Sequence, residues 1–139
     1  MTNTNPSRNS ENPSQEPLSL LVVDDNAINR RLIQASLVRL GYKVDVAADG
    51  AVAVEKFTNN FYDAILMDIM MPVMDGIEAT IVIRKIEHDR QISPHQRVKI
   101  IAITANAFED DRTRFYESGM DHYLNKPLEI EELQRILKS

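Results

Sequence analysis

From Leu18 onward the chain alternates between short apolar runs and stretches with helical spacing of apolar positions. The apolar runs predict strands over Leu18–Val23, Lys43–Ala47, Asp63–Met67, Val98–Ile103 and Asp121–Leu124. The helical stretches lie between them, over Asn26–Leu40, Asp49–Asn59, Asp75–Glu87, Asn106–Ser118 and Leu128–Lys138. Gly41 and Gly119 read as helix stops, and Asp49 and Asp75 as N-caps before glycine. The runs LLVV, AILM and IIAI are apolar throughout rather than alternating, as expected of strands buried on both faces. Strand–helix alternation of this kind predicts an α/β fold: a doubly wound parallel sheet covered by helices on both faces. The polar stretch from His88 to Arg97 reads as a loop.

Residues 1–17, MTNTNPSRNSENPSQEP, break this pattern. They are Asn-, Ser- and Pro-rich and offer almost nothing apolar to offset the entropy of ordering, which predicts a disordered tail or linker. One domain is expected over 18–139. A chain of 139 residues supports one core of that size.

Charge and composition narrow the classes of function. The net charge of −5 is modest and acidic, which argues against a nucleic-acid footprint. The absence of cysteine excludes disulfides and thiolate metal sites. No apolar run reaches membrane-spanning length and no apolar signal segment opens the chain, so a cytoplasmic location without membrane contact is the expectation.

Candidate chemistry gathers at one sheet edge. Ligands of open parallel sheets bind beyond the carboxyl ends of the strands. There the first strand runs into Asp24-Asp25, the third into Asp68, the fourth into Thr104-Ala105 and the fifth into Asn125-Lys126-Pro127. Each residue alone has an ordinary reading as cap, turn or solvated loop charge. Their convergence is what carries weight. Clustered carboxylates either raise their pKa values or hold a cation, and an all-oxygen set suits Mg²⁺, with Mn²⁺ as the alternative. Lys126 adds a point charge and Thr104 a hydroxyl donor. An anion bridging metal, Lys and Thr completes such a set, and a phosphoryl group with Asp68 as nucleophile fits it. His88, His95 and His122 read as surface residues. The first helix carries two apolar stripes where one suffices: Ile33, Leu37 and Leu40 are assigned to the core, and Ile28, Leu32 and Ala35 to an exposed surface beside the acidic mouth.

Strand-DD near the start, MDIMMPVMDG, TA closing the fourth strand and YLNKP together resemble the receiver domain of two-component response regulators, over about Leu18 to Lys138. DDNAINR and ITANAF are most similar to the receivers of hybrid histidine kinases and phosphorelays. The resemblance implies a flavodoxin-like (βα)5 fold with strand order 2-1-3-4-5. It implies phosphorylation of Asp68 from a histidine kinase or histidine phosphotransfer domain. Mg²⁺ would sit on Asp25, Asp68 and the Met70 backbone carbonyl, with Asp24 through water. The phosphoryl group would meet Thr104 and Lys126, with a cis bond before Pro127. Thr104 and Tyr123 would form the switch, Met70 and Asn106 would tune hydrolysis, and Ile28 and Leu32 would meet the partner. Such a protein catalyses its own phosphorylation and autodephosphorylation without being a turnover enzyme. Two rivals stand beside this reading. A flavodoxin-type electron carrier is disfavoured by the acidic loop after the first strand, and a docking-only pseudo-receiver by the complete Asp/Thr/Lys set.

Overall fold

The computed structural model describes residues 17–105 and 109–139, with the backbone alone at 109–111. The reading of residues 1–16 as a tail, and the role of Asn106, lie outside the described residues.

Among the described residues, five strands alternate with five α-helices: β1 Ser19–Val23, α1 Ala27–Arg39, β2 Lys43–Ala47, α2 Gly50–Asn59, β3 Ala64–Asp68, α3 Gly76–Asp89, β4 Lys99–Thr104, α4 Glu109–Ser118, β5 His122–Asn125 and α5 Ile130–Lys138. All strand pairs are parallel and the order is β2-β1-β3-β4-β5, as expected. Alternate strand residues feed opposite faces. Leu21, Val23, Ile65, Met67, Ile100 and Ala102 join Phe57 of α2, Ile83 of α3 and Phe115 of α4 in one core. Their neighbours Leu20, Val22, Leu66, Ile101 and Ile103 meet Leu37 of α1 with Leu133 and Leu137 of α5 in the other. Both faces are therefore dry, which is why the three inner strands carry no polar alternation.

Local signals account for the helix ends. Asn26 accepts from the Asn29 amide, and Asp49 from that of Val52. Asp75 and Glu78 form a reciprocal capping box. At the other end of α1, Gly41 takes φ +100° while its amide donates to the Val38 carbonyl and that of Tyr42 to the Leu37 carbonyl. Two expectations shift. A short 3₁₀ turn, Pro94–Gln96, interrupts the loop after α3. Helix α5 begins at Ile130, two residues later than the pattern suggested, because Leu128 is used to pack against the α1/α5 core before the helix starts.

Candidate functional site

The sheet brings the sequence-predicted residues to one edge. Asp68 is the last residue of β3 and pairs in register with Ile103 of β4, while Thr104 closes β4 beside Asn125 of β5. Asp24 and Asp25 leave β1 where Val23 lies beside Met67. Carboxylate oxygens of Asp24, Asp25 and Asp68 all lie within 4.8 Å of one another. Asp24 and Asp68 are buried and Asp25 is exposed at the mouth.

Neighbouring groups fix these side chains. The Asn26 amide donates to Asp24 Oδ1 at 2.8 Å. Arg30 Nη1 donates to the Asp24 carbonyl at 2.7 Å, tying the acidic turn to α1. The sequence reading missed this arginine, although its place one helical turn past the acidic pair was a usable signal. Lys126 Nζ reaches Asp68 Oδ2 at 3.1 Å, and its own amide donates to the Thr104 carbonyl at 2.8 Å. The Lys126–Pro127 bond is cis, as the resemblance implied. Gly76 closes the β3–α3 loop back onto its origin, since a Cβ there would collide with the Asp68 carbonyl.

Burial pushes the Asp68 carboxyl above its ordinary value. Lys126 pulls it down through its hydrogen bond and charge, and the negative charges of Asp24 and Asp25 push it up again; the net direction is upward. A buried carboxylate so placed gains from any cation added beside it. The donor set is all oxygen, one member is open to solvent and two are buried, which fits a hard divalent ion such as Mg²⁺.

The remaining candidates are distributed as follows. Thr104 is buried at the end of β4. Tyr123 is half-buried, with Tyr116 edge-on at 6.1 Å between ring centroids and the Arg112 guanidinium 5.1 Å from its ring centre. The Met70 side chain stands in solvent. On α1, Ile28 and Leu32 are 71% and 63% exposed, while Leu37 is fully buried and Ile33 packs beside it. Leu40 corrects the expected core stripe: it is 49% exposed, because it is the C-cap, where the chain turns away through Gly41. A cleft of about 470 Å³ joins Leu32 and Ile33 to Asp24, Lys126, Pro127 and Leu128, so the apolar face of α1 opens directly into the acidic site. A larger cleft, about 850 Å³, opens at the other end of the sheet. There the buried Glu87 is already bonded to Arg84 and the Val98 amide, and no comparable cluster of acids gathers among the described residues.

The family profile described as "Response regulator receiver domain" matches residues 20–138. The chain belongs to the response regulator receiver family. This receiver is 37% identical over 128 residues to hybrid signal transduction histidine kinase I of Dictyostelium discoideum; the match takes in 88% of this chain and 7% of that protein. It is 41% identical over 128 residues to histidine protein kinase 1 of Candida albicans, covering 88% of this chain and 5% of that one. The chain thus spans a small fraction of the curated relatives it matches. Among solved structures, the receiver domain of a Pseudomonas aeruginosa sensor histidine kinase, with magnesium coordinated in its active-site cleft, is similar at TM-score 0.76 and 46% identity, covering 88% of this chain and 96% of that one. The Saccharomyces cerevisiae receiver domain of Ssk1, crystallised with the histidine phosphotransfer protein Ypd1, is similar at TM-score 0.81 and 28% identity, covering 88% and 87%. Among the described residues, no helix is long and apolar enough to cross a membrane.

Proposed function

We propose that this receiver accepts a phosphoryl group on Asp68 from a phosphohistidine of a histidine kinase or histidine phosphotransfer domain. The observation that carries the reading is Asp68 itself: a buried carboxylate, 3% exposed, held by Lys126 at 3.1 Å beside two further carboxylates, with Asp24 and Lys126 lining an adjoining apolar cleft. In the transfer, an Asp68 oxygen bonds to phosphorus as the phosphorus–nitrogen bond breaks and the imidazole leaves. Lys126 stays beside the acceptor and meets the charge on the phosphoryl oxygens. Thr104 offers its hydroxyl to the same oxygens from the end of β4. Mg²⁺, or Mn²⁺, would be held by Asp25, Asp68 and the Met70 carbonyl, with Asp24 close by, and would supply the neutralising charge of a Lewis acid. Tyr123 then responds to the movement of Thr104, and Met70 and Asn106 set how fast the acyl phosphate is lost. Ile28 and Leu32 meet the partner. The domain works in the cytoplasm as a switch that catalyses only its own phosphorylation and dephosphorylation, with no nucleic acid or membrane bound by these residues.

The test is incubation with acetyl phosphate and Mg²⁺, read by intact mass. One phosphoryl group is expected on the wild type and none on Asp68→Asn. A modified Asp68→Asn protein, or full modification in EDTA, overturns the assignment.

A further inference from the structure

Parallel pairing fixes which backbone groups of an edge strand point outward. In β2 the Lys43 amide donates to the Leu18 carbonyl at 3.0 Å, and the Ala47 carbonyl accepts from the Asp24 amide at 3.1 Å. Lys43, Asp45 and Ala47 therefore turn their backbone groups toward β1, while Val44 and Val46 turn theirs away from it. The strand order puts β2 at the edge of the sheet. A row of outward amides and carbonyls is a template for another strand.

At Val46 that template is occupied from within the chain. Its amide donates to Asp45 Oδ1 at 2.9 Å, and its carbonyl accepts from Nζ of Lys56, on α2, at 2.6 Å. The two side chains that do this are themselves joined, with Lys56 Nζ 2.9 Å from Asp45 Oδ1. Tyr62, which is 4% exposed, donates its hydroxyl to Asp45 Oδ2 at 2.6 Å and so holds the carboxylate from the other side. Lys56 lies in the last turn of α2, where a cation is already favourable pointing into solvent. It reaches across to the strand edge instead. No side chain bonds to the outward groups of Val44 among the described residues.

A second copy of this chain is the strand that such an edge would recruit, because identical edges meet about a two-fold axis. There they pair antiparallel. With Asp45 opposite the second copy's Asp45, Val44 faces the second copy's Val46, and every hydrogen bond across the axis uses a Val46 amide or carbonyl on one side. In this chain both of those groups are taken. The same register sets two Asp45 side chains directly opposite, where like charges repel. We infer that Asp45, Lys56 and Tyr62 form a lock that closes the β2 edge against strand addition by a second copy. The lock uses no residue of the acidic site and does not depend on the phosphoacceptor role.

The experiment compares the full chain as wild type, Lys56→Arg, Asp45→Ala with Lys56→Met, and Asp45→Thr with Lys56→Leu. Sedimentation velocity, melting temperature and amide exchange by NMR are measured on each from micromolar to millimolar concentration. In the wild type the Val46 amide should exchange about tenfold more slowly than that of Val44, and dilute double variants should lose the difference. Both double variants should form a dimer about tenfold or more tighter than any wild-type self-association. The Val44 and Val46 amides should gain protection as that dimer forms. Wild type and Lys56→Arg, which keeps a donor for the Val46 carbonyl, should show no edge protection that grows with concentration. Threonine forms strands better than alanine, so the second pair keeps the comparison decisive if the first fails to fold. Folded double variants that stay monomeric overturn the inference, as does a dimer in which the edge amides gain no protection. Equal exchange of Val44 and Val46 in the wild type removes its premise.

Discussion

Replacing Asp25 by asparagine should stabilise the metal-free protein and remove most of its response to Mg²⁺. Asp25 faces Asp24 and Asp68 with carboxylate oxygens no farther than 4.8 Å apart, where two unit charges repel by about 0.9 kcal/mol in water and about 3.5 kcal/mol at an effective dielectric constant of 20. Asp25 is exposed, so its two repulsions lie near the water limit. Together these give about 1–2 kcal/mol, or about 5 °C in melting temperature for a domain of this size. Asparagine keeps the volume and only removes the charge. In EDTA at low salt the variant should therefore melt above the wild type, and added NaCl should narrow the gap by screening. Mg²⁺ at tenfold its dissociation constant should then raise the wild type by about 1.4 kcal/mol, because it binds the folded state alone. The variant, one ligand short, should gain little, so the order of the two melting curves closes up or reverses on adding metal. Differential scanning fluorimetry across a Mg²⁺ titration measures both effects. A variant that melts below the wild type in EDTA, or an equal Mg²⁺ response in both proteins, would refute the view that this cluster stores repulsion for a cation to relieve.

Asp68 gives the same reasoning a pH signature. Its folded pKa is raised, so the stability it contributes is complete below the unfolded carboxylate value of about 3.9 and is lost as pH rises through the folded value. Metal-free Asp68→Asn should match the wild type in acid and exceed it near neutrality; melting curves across pH in EDTA check this, and a gap independent of pH would contradict it. Gln91 holds φ +59° just after α3, with its amide on the His88 carbonyl and that of Ile92 on the Glu87 carbonyl, so Gln91→Gly should stabilise by up to about 1 kcal/mol in urea unfolding. The double change Ile28→Asp with Leu32→Asp should leave acetyl phosphate labelling near wild type while transfer from phospho-Ypd1 falls; a parallel fall in both would show that these residues serve the site itself.

What could be read from the sequence followed from how locally each signal is encoded. The inner strands needed no tertiary information, because burial on both faces leaves a continuous apolar run whatever the helices do. Asp24, Asp25, Asp68 and Lys126 were legible because parallel topology sends every strand's carboxyl end to one edge, so order along the chain already fixes proximity. Gly41 announced its positive φ by its identity. Gln91 takes the same kind of conformation at the end of α3, but a long polar side chain gives no such sign. Val73, at φ +71°, was hidden for the same reason: PVM reads as any loop until Met74, whose carbonyl accepts from the Gly50 amide, is fixed in place. Leu40 was misplaced because periodicity assumes the helix continues, and at the cap it does not. The contact of Arg112 and Tyr116 with Tyr123 depends on the rotation of α4 about its axis, which packing sets and composition does not.

The two ends of the sheet are built on opposite principles, and the contrast explains how the site tolerates its own charge. At the amino ends of β4 and β5, Arg84 donates to the Gly119 and Val98 carbonyls, each at 2.8 Å, and pairs with Glu87 at 2.7 Å and Asp121 at 2.8 Å. Glu87, buried, also accepts from the Val98 amide at 2.7 Å, and Asp121 from the Ile100 amide at 2.9 Å. Every charge in that network has an opposite charge and a backbone partner, which is the condition under which a buried ion pair does not weaken a fold. It also binds α3, β4 and the turn between α4 and β5 into one unit. At the carboxyl ends, three carboxylates gather while Lys126 pairs with Asp68, and Val73 holds a positive φ that glycine would fill without strain. A fold has only a few kcal/mol of net stability to lose. Concentrating satisfied polar contacts at that end leaves the other end free to remain under-neutralised, a property that an added cation relieves.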